Sequence, residues 1–211
     1  MNRLAILGAS GHGAVVADAA LLVGWRSVEF YDDRWPAIPS VGQWPVIGNT
    51  AELLRAGTGI DGVIVAIGAN IVRLAKQDAL RAGGLRVATI THPAAVVSSL
   101  ADIGIGCVLF AGAVVNAFAT VGAAGIINTC ATVDHDCVLG DGVHLGPGAH
   151  LGGTVRVGRA SWIGIGAVVR HGIAIGANVI VGAGAAVVND VDDDLTVVGV
   201  PARPIISRRP I

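Results

Sequence analysis

Residues 133–158 read VDHDCVLGDGVHLGPGAHLGGTVRVG, and counting through them in sixes lands on Val133, Leu139, Leu145, Leu151 and Val157. The register runs on through Ile127, Val121, Val115, Leu109, Ile103 and Val97 in one direction, and through Ile163, Val169, Ile175, Val181 and Val187 in the other. Four places after each stands a small or aliphatic residue, as at Cys107, Ala113, Ala131, Cys137, Ala149 and Ala167, and glycine is frequent one place after. A period of six fits neither an amphipathic helix at 3.6 nor an alternating strand at 2. It fits a parallel β-helix of hexapeptide repeats, a solenoid of short strands and turns. If about 40 % of residues suit each position, sixteen consecutive hits arise by chance roughly once in a million.

Three hexads make one triangular coil, so the repeat covers a little over five coils and residues eighteen apart are stacked on one another. With strands about 4.8 Å apart the prism is on the order of 25 Å tall. Such a prism presents flat faces that pack against copies of themselves, so a closed symmetric oligomer is expected.

Bulk properties narrow the function classes. The chain has 211 residues, 53 % of them hydrophobic but only 4 % aromatic, with 31 glycines, so its core is built from Val, Ile, Leu and Ala. A net charge of −1 without charge runs gives no footprint for nucleic acid or an anionic membrane. Cys107, Cys130 and Cys137 lack CxxC spacing and sit in apolar surroundings, as reduced thiols would. The opening MNRLAILGASGHG has too short an apolar run for a signal-peptide core or a membrane span. A cytoplasmic protein without membrane insertion is expected.

Before the repeat the grammar changes, placing a domain boundary at 92/93. RLAIL, VEFYDD, DGVIVAIGAN and LRVATITHP read as strands; AVVADAALLVG, TAELLRAG and IVRLAKQDALRAGG read as helices. The alternation predicts a small Rossmann-like parallel sheet over 1–92, followed by the β-helix over 93–211. A ligand belongs beyond the carboxyl ends of such strands, where Ser10, Gly11, His12, Asp32, Asp33, Gly68 and Asn70 fall. GASGHG is GxxGxG rather than the dinucleotide GxGxxG, yet a glycine turn at a helix N-terminus favours a phosphate or another polar ligand.

Within the repeat, His135 lies between Asp134 and Asp136. A carboxylate beside an imidazole fixes its tautomer and stabilises the imidazolium, so His135 with Asp136 or Asp134 forms a base dyad. Eighteen residues on is Gly153, which leaves room for a ligand and an N–H; eighteen past His144 is Trp162, which walls a groove. His150 and His171 read as surface turn residues, and the Asp192–Asp194 run as a solvated exit from the last coil. Histidines 135, 144 and 150 as zinc ligands, in the manner of the carbonic anhydrase β-helix, are the metal alternative, and no metal is expected.

The combination GASGHG…YDD, the hexapeptide repeat, NTxxxxxH followed by an acidic residue (Asn128–Asp136) and a terminal VGVPARP resembles the sugar acetyltransferases of the sialic acid O-acetyltransferase type. Within that group it is most similar to the UDP-4-amino-sugar N-acetyltransferases of the bacillosamine pathway. The resemblance covers nearly the whole chain. It implies a left-handed β-helix, a homotrimer, acetyl-CoA bound along the β-helix between subunits, and a nucleotide-linked amino sugar held by the N-terminal domain. His135 then matches the general base and Asp136 the acidic residue that raises its basicity. His144 touches acetyl-CoA, Asn128 lies in the same cleft, Gly153 supplies a backbone amide, and Ile165, Gly182 and Ala183 fall on the CoA track. Ser10, Gly11, His12, Asp32, Asp33, Arg34, Gly68 and Asn70 fall on the nucleotide-sugar site. Two departures stand out: Asp136 replaces a glutamate, and the segment from Arg34 to Gly59 is longer and richer in Trp and Pro. The implied reaction is acetylation of a sugar 4-amino group by direct transfer. Sugar O-acetylation and a non-catalytic sugar-nucleotide scaffold are the alternatives.

Overall fold

The computed structural model describes residues 3–205, so residues 206–211 of the expected C-terminal tail and the first two residues of the opening run lie outside the described residues. Two compact units divide the chain, the first reaching Pro93 and also taking in Ile105–Val108, the second formed by Ala94–Gly104 and the chain from Leu109 onward. The first unit thus gains one rung of the repeat that the boundary at 92/93 left to the second. Gln77 Nε2 donates to Ile105 O at 3.1 Å, and Ile90 N to Cys107 O at 2.9 Å.

In the first unit, β1 (Arg3–Leu7), β2 (Ser27–Tyr31), β3 (Ser40–Val41), β4 (Trp44–Gly48) and β5 (Gly62–Val65) form one sheet in the order β3-β4-β2-β1-β5. All neighbours are parallel except β3 and β4. Buried on both faces, β1 is apolar throughout after Arg3, as a central parallel strand requires. The helices are α1 (Gly11–Leu22), α2 (Thr50–Ala56) and α3 (Asn70–Ala82). The Asn49 side chain caps α2 by accepting from Ala51 N and Glu52 N while Glu52 returns a bond to Asn49 N. Two details differ from the sequence reading. The β3–β4 hairpin carries no sequence mark, and within LRVATITHP only Val87 joins this sheet, by a bridge to Val63, while Ile90–Thr91 forms a short strand outside it.

The second unit is the β-helix. Each hexad contributes a two-residue strand, and partners are eighteen apart, as in Val114↔Thr132, Thr132↔His150 and His150↔Val168. A first face carries Thr132–Val133 and its stacked relatives, a second face Val138–Leu139, and a third face His144–Leu145. From Leu109 to Val187 every residue of the six-step series is buried, with Ile127, Val133, Leu145 and Ile163 fully so.

The corners explain the glycines. Every sixth residue from Gly106 to Gly184 has a positive φ, whether glycine or, as at Phe118, Ala124, Cys130, Asp136, Thr154, Ala160 and Asn178, another residue. The frequent glycine right after each aliphatic residue is a different place. Its φ is ordinary, and a Cβ there would run into the next coil, at Gly122 coming 2.6 Å from Asp141 N. The acidic run near the exit is partly engaged: Asp193 Oδ1 accepts Ala177 N at 2.7 Å and Asp194 Oδ1 accepts Asn178 Nδ2 at 3.1 Å.

Candidate active site

His135 and Asp136 occupy the corner between the first and second faces. Asp136 sits at the left-handed place of that corner, φ 57°, a conformation that aspartate tolerates better than most residues. From there its Oδ2 reaches His135 Nδ1 at 2.8 Å, so the shorter arm of Asp136 suffices. Asp134 is differently employed: its Oδ1 accepts the His135 backbone N–H and Asn116 Nδ2, each at 2.8 Å. With Nδ1–H bonded to Asp136, the neutral ring presents an unprotonated Nε2. The Asp136 bond, reinforced by the charge of Asp134, raises the His135 pKa above the ordinary histidine value.

Gly153 stacks above His135, but it does not leave an empty gap. A Cβ at Gly153 would lie 2.6 Å from both Cε1 and Nε2 of His135, so the imidazole itself lies in the space the glycine provides. Next to the ring is an open groove of about 580 Å³, walled by Asp134, Gly152, Thr154, Arg170 and His171. His171, expected to be a surface turn residue, therefore shares a groove with His135, as does Arg170, which carries no sequence signal. Cys137 is buried below, its thiol donating to Gly152 O at 3.2 Å; burial raises its pKa and keeps it protonated.

A second cluster lies elsewhere on the prism. Asn128 Nδ2 meets His144 Nε2 at 3.3 Å, and the rings of His144 and Trp162, paired in adjacent coils, are 6.2 Å apart. Ile165, 57 % exposed, follows Trp162 at the corner between the third and first faces, and Gly182 and Ala183 stack eighteen residues beyond. One edge thus gathers Asn128, His144, Ile165, Gly182 and Ala183, and another gathers His135, Asp136 and Gly153. A prism corner is opposite the face it does not touch, so the His135 corner points away from the third face that bears His144. His150 lies exposed on the first face against Thr132 Oγ1 at 2.9 Å. Among the described residues, no group of three or more His, Cys, Asp or Glu side chains is placed to hold a metal ion.

The first unit has its own cleft of about 290 Å³ at the carboxyl ends of β1, β2 and β5, lined by Ser10, Asp32, Asp33, Arg34, Gly68 and Lys76 among others. Gly8, with φ 120°, lets the β1–α1 turn approach Ala66 O, where a Cβ would come within 2.5 Å. Gly11 opens α1 with nothing near its Cβ position, and the Ser10 hydroxyl makes no capping bond. Asp32 is committed to structure: it accepts Ala9 N at 2.8 Å, Arg34 N at 2.9 Å and Arg34 Nε at 2.9 Å. The Arg34 bond chiefly holds its pKa down to about 2. Asp33 accepts Thr50 Oγ1 at 2.7 Å and Lys76 Nζ at 2.5 Å; burial opposes these bonds, but its pKa still lies below the ordinary value. Below the cleft, the buried Arg73 donates to Ile67 O at 2.8 Å and Asn70 Oδ1 at 2.9 Å, bracing the β5–α3 turn. His12 lies nearby, and burial with the Arg73 charge pushes its pKa down to about 4, so it is neutral. Lys76 and Arg73 escaped the sequence reading because both look like ordinary outward charges of an amphipathic helix.

Known proteins share this arrangement. The family model described as the PglD N-terminal domain matches residues 3–80. The acetyltransferase domain of PglB from Neisseria gonorrhoeae, solved with acetyl coenzyme A, superposes with a TM-score of 0.92 at 43 % identity over 96 % of this chain and 98 % of that one. PerB from Caulobacter crescentus, solved with CoA and GDP-perosamine, gives 0.90 at 39 % identity, covering 96 % of each chain. WeeI from Acinetobacter baumannii gives 0.87 at 27 % identity, covering 97 % of this chain and 100 % of that one. With its parallel sheet, its left-handed β-helix and this level of identity across nearly its whole length, the chain belongs to the PglD-like family of sugar acetyltransferases.

Proposed function

We propose that the protein transfers the acetyl group of acetyl-CoA to the 4-amino group of a nucleotide-linked 4-amino-4,6-dideoxy sugar, UDP being the favoured nucleotide. The observation that carries this reading is the Asp136–His135 pair, bonded at 2.8 Å through Nδ1, with His135 lining an open groove. The neutral amine attacks the thioester carbonyl, the C–N bond forms, and His135 Nε2 takes the amine proton. Collapse breaks the C–S bond, and the proton passes to the departing CoA thiolate. General-base help of this kind is worth ~10²–10⁴ in rate. The Gly153 N–H is the donor we assign to the developing oxyanion. Transfer is direct: Cys137, the thiol nearest in sequence, is buried and held protonated, so it offers no acyl carrier.

Placement of the two clusters supports a homotrimer. His135 on one edge and the His144–Ile165 cluster on another, with His144 on the face opposite His135, do not meet within a single prism, whereas a closed ring of three brings one edge of each copy to the other edge of its neighbour. The first-unit cleft is assigned to the nucleotide-sugar, with Ser10, Asp33, Gly68 and Lys76 among its lining residues. GDP-perosamine in PerB makes the guanine nucleotide a direct competitor for UDP in any assay. Among the described residues no helix is long and apolar enough to cross a membrane, and the proposal places the enzyme in the cytoplasm, where acetyl-CoA is available.

The test is His135→Ala. Turnover should fall by about several hundredfold while acetyl-CoA binding, read by calorimetry, is retained; turnover at the wild-type rate would end the proposal. Free-thiol release with UDP-, GDP- and dTDP-linked 4-amino sugars identifies the nucleotide.

A further inference from the structure

Glycine often holds the place after an inward aliphatic residue, and a Cβ there meets the coil above, 2.6 Å from Asp141 N at Gly122 and 2.8 Å from Arg159 N at Gly140. Down the corner between the second and third faces this holds throughout, at residues 104, 122, 140, 158 and 176. Down the corner that carries His135 it breaks: the same place is taken by Ser98, Asn116, Asp134, Gly152, Arg170 and Val188. Two of these exceptions, in adjacent coils, are joined, Asn116 Nδ2 donating to Asp134 Oδ1 at 2.8 Å. That same oxygen accepts the His135 backbone N–H at 2.8 Å. A carboxylate so tied, from the coil below and by the main chain of the base itself, cannot swing out to water without breaking both bonds.

We propose that Asn116 is a positioning residue for His135 and acts through Asp134, fixing that carboxylate against the turn so that the imidazole keeps a second, stationary negative charge beside the Asp136 bond. The inference rests on His135 being the base. The groups facing His135 are Asp134 and Asp136 on its own turn, Arg170 and His171 across the groove, and the uncharged Ala117, Gly153 and Thr154 in the coils on either side. In support, the Asn116 bond is the foremost cause of the lowered Asp134 pKa, and the charge of Asp134 ranks next after the Asp136 bond in raising that of His135.

The test uses the full chain and reads the His135 imidazole by NMR titration alongside the pH dependence of turnover. Asp134→Asn keeps a side-chain oxygen for the His135 N–H but removes the charge, so the His135 pKa should fall by about half a unit. The acid limb of the rate profile should move to lower pH by the same amount, with the plateau down by about two- to fivefold and KM for acetyl-CoA unchanged. Asn116→Ala should give a smaller shift in the same direction, and Asn116→Ser, which keeps a short donor, should restore part of it. Because Asn116 works only through Asp134, the double variant should titrate like Asp134→Asn alone. An unmoved His135 in either single variant overturns the proposal, as does an Asn116→Ala effect that adds in full to Asp134→Asn. Should the wild-type chain fail to transfer acetyl groups while the titration shifts as stated, the assigned function falls and the positioning role stands.

Discussion

Which of two flanking aspartates serves His135 is settled by a single dihedral. Asp134 and Asp136 flank the imidazole, one on each side, and by residue type and spacing alone they are equivalent; only the family resemblance favours Asp136. At the corner, φ 57° at residue 136 turns its carboxylate alongside Nδ1, while Asp134 faces the main chain and Asn116. Gly153 shows the same limit of legibility: its stacking above His135 follows from counting eighteen, but which group fills the space does not. Gly153→Ala tests that filling. The backbone there accepts alanine, but the new Cβ would stand 2.6 Å from two ring atoms of His135, forcing the imidazole to rotate. A misplacement of about 1 Å costs on the order of 10²-fold in rate, so turnover should drop tenfold to a hundredfold. Because the clash is with an exposed ring rather than with the core, the melting temperature should stay within about 3 °C of wild type. Wild-type turnover in this variant would show that the ring has another productive position.

At the scale of elements, the sequence declares the β-helix more plainly than the sheet. A strict six-residue period survives because each rung is identical in kind and each inward residue meets the same environment. The hairpin of β3 and β4 leaves no such mark, since strands of two and five residues holding Pro45 and Trp44 show no two-residue alternation. Likewise Lys76 joins Asp33 across 43 residues only once α3 has docked against the sheet. The β1–α1 turn is held by a carboxylate whose role is structural as much as functional. Asp32→Ala strips the bonds from Ala9 N–H and the Arg34 guanidinium, and an unsatisfied buried donor costs about 1–3 kcal/mol, which denaturant unfolding will read. The pH dependence has a definite sign. The folded pKa of Asp32, about 2, lies below the ordinary 3.8, so its contribution is complete above the unfolded value and is lost as pH falls from about 4 toward 2. The difference in stability between wild type and Asp32→Ala should therefore shrink over that range; a difference constant with pH would show that the carboxylate is not ionised in the fold.

At the scale of the molecule, the repeat period carries a consequence for assembly. His135 and His144 are nine residues apart, half of an eighteen-residue coil, so they leave the prism in opposing directions whatever their local conformations. A catalytic centre that needs both edges must therefore be completed by a second copy, and copies that each lack one edge should complement one another. Mixing His135→Ala subunits with His144→Ala subunits in equal amounts, after dissociation and reassembly, tests this directly. In a closed ring every site takes His135 from one subunit and His144 from the next. Random assembly gives an intact His135 at one half of the positions and an intact His144 next to it at one half of those, so about one quarter of wild-type activity should return. Neither variant alone should approach that level, and light scattering of the reassembled material should report three chains. Activity no higher than the mean of the two separate variants would mean that each chain carries its own complete site, and the two-edge arrangement would have to be abandoned.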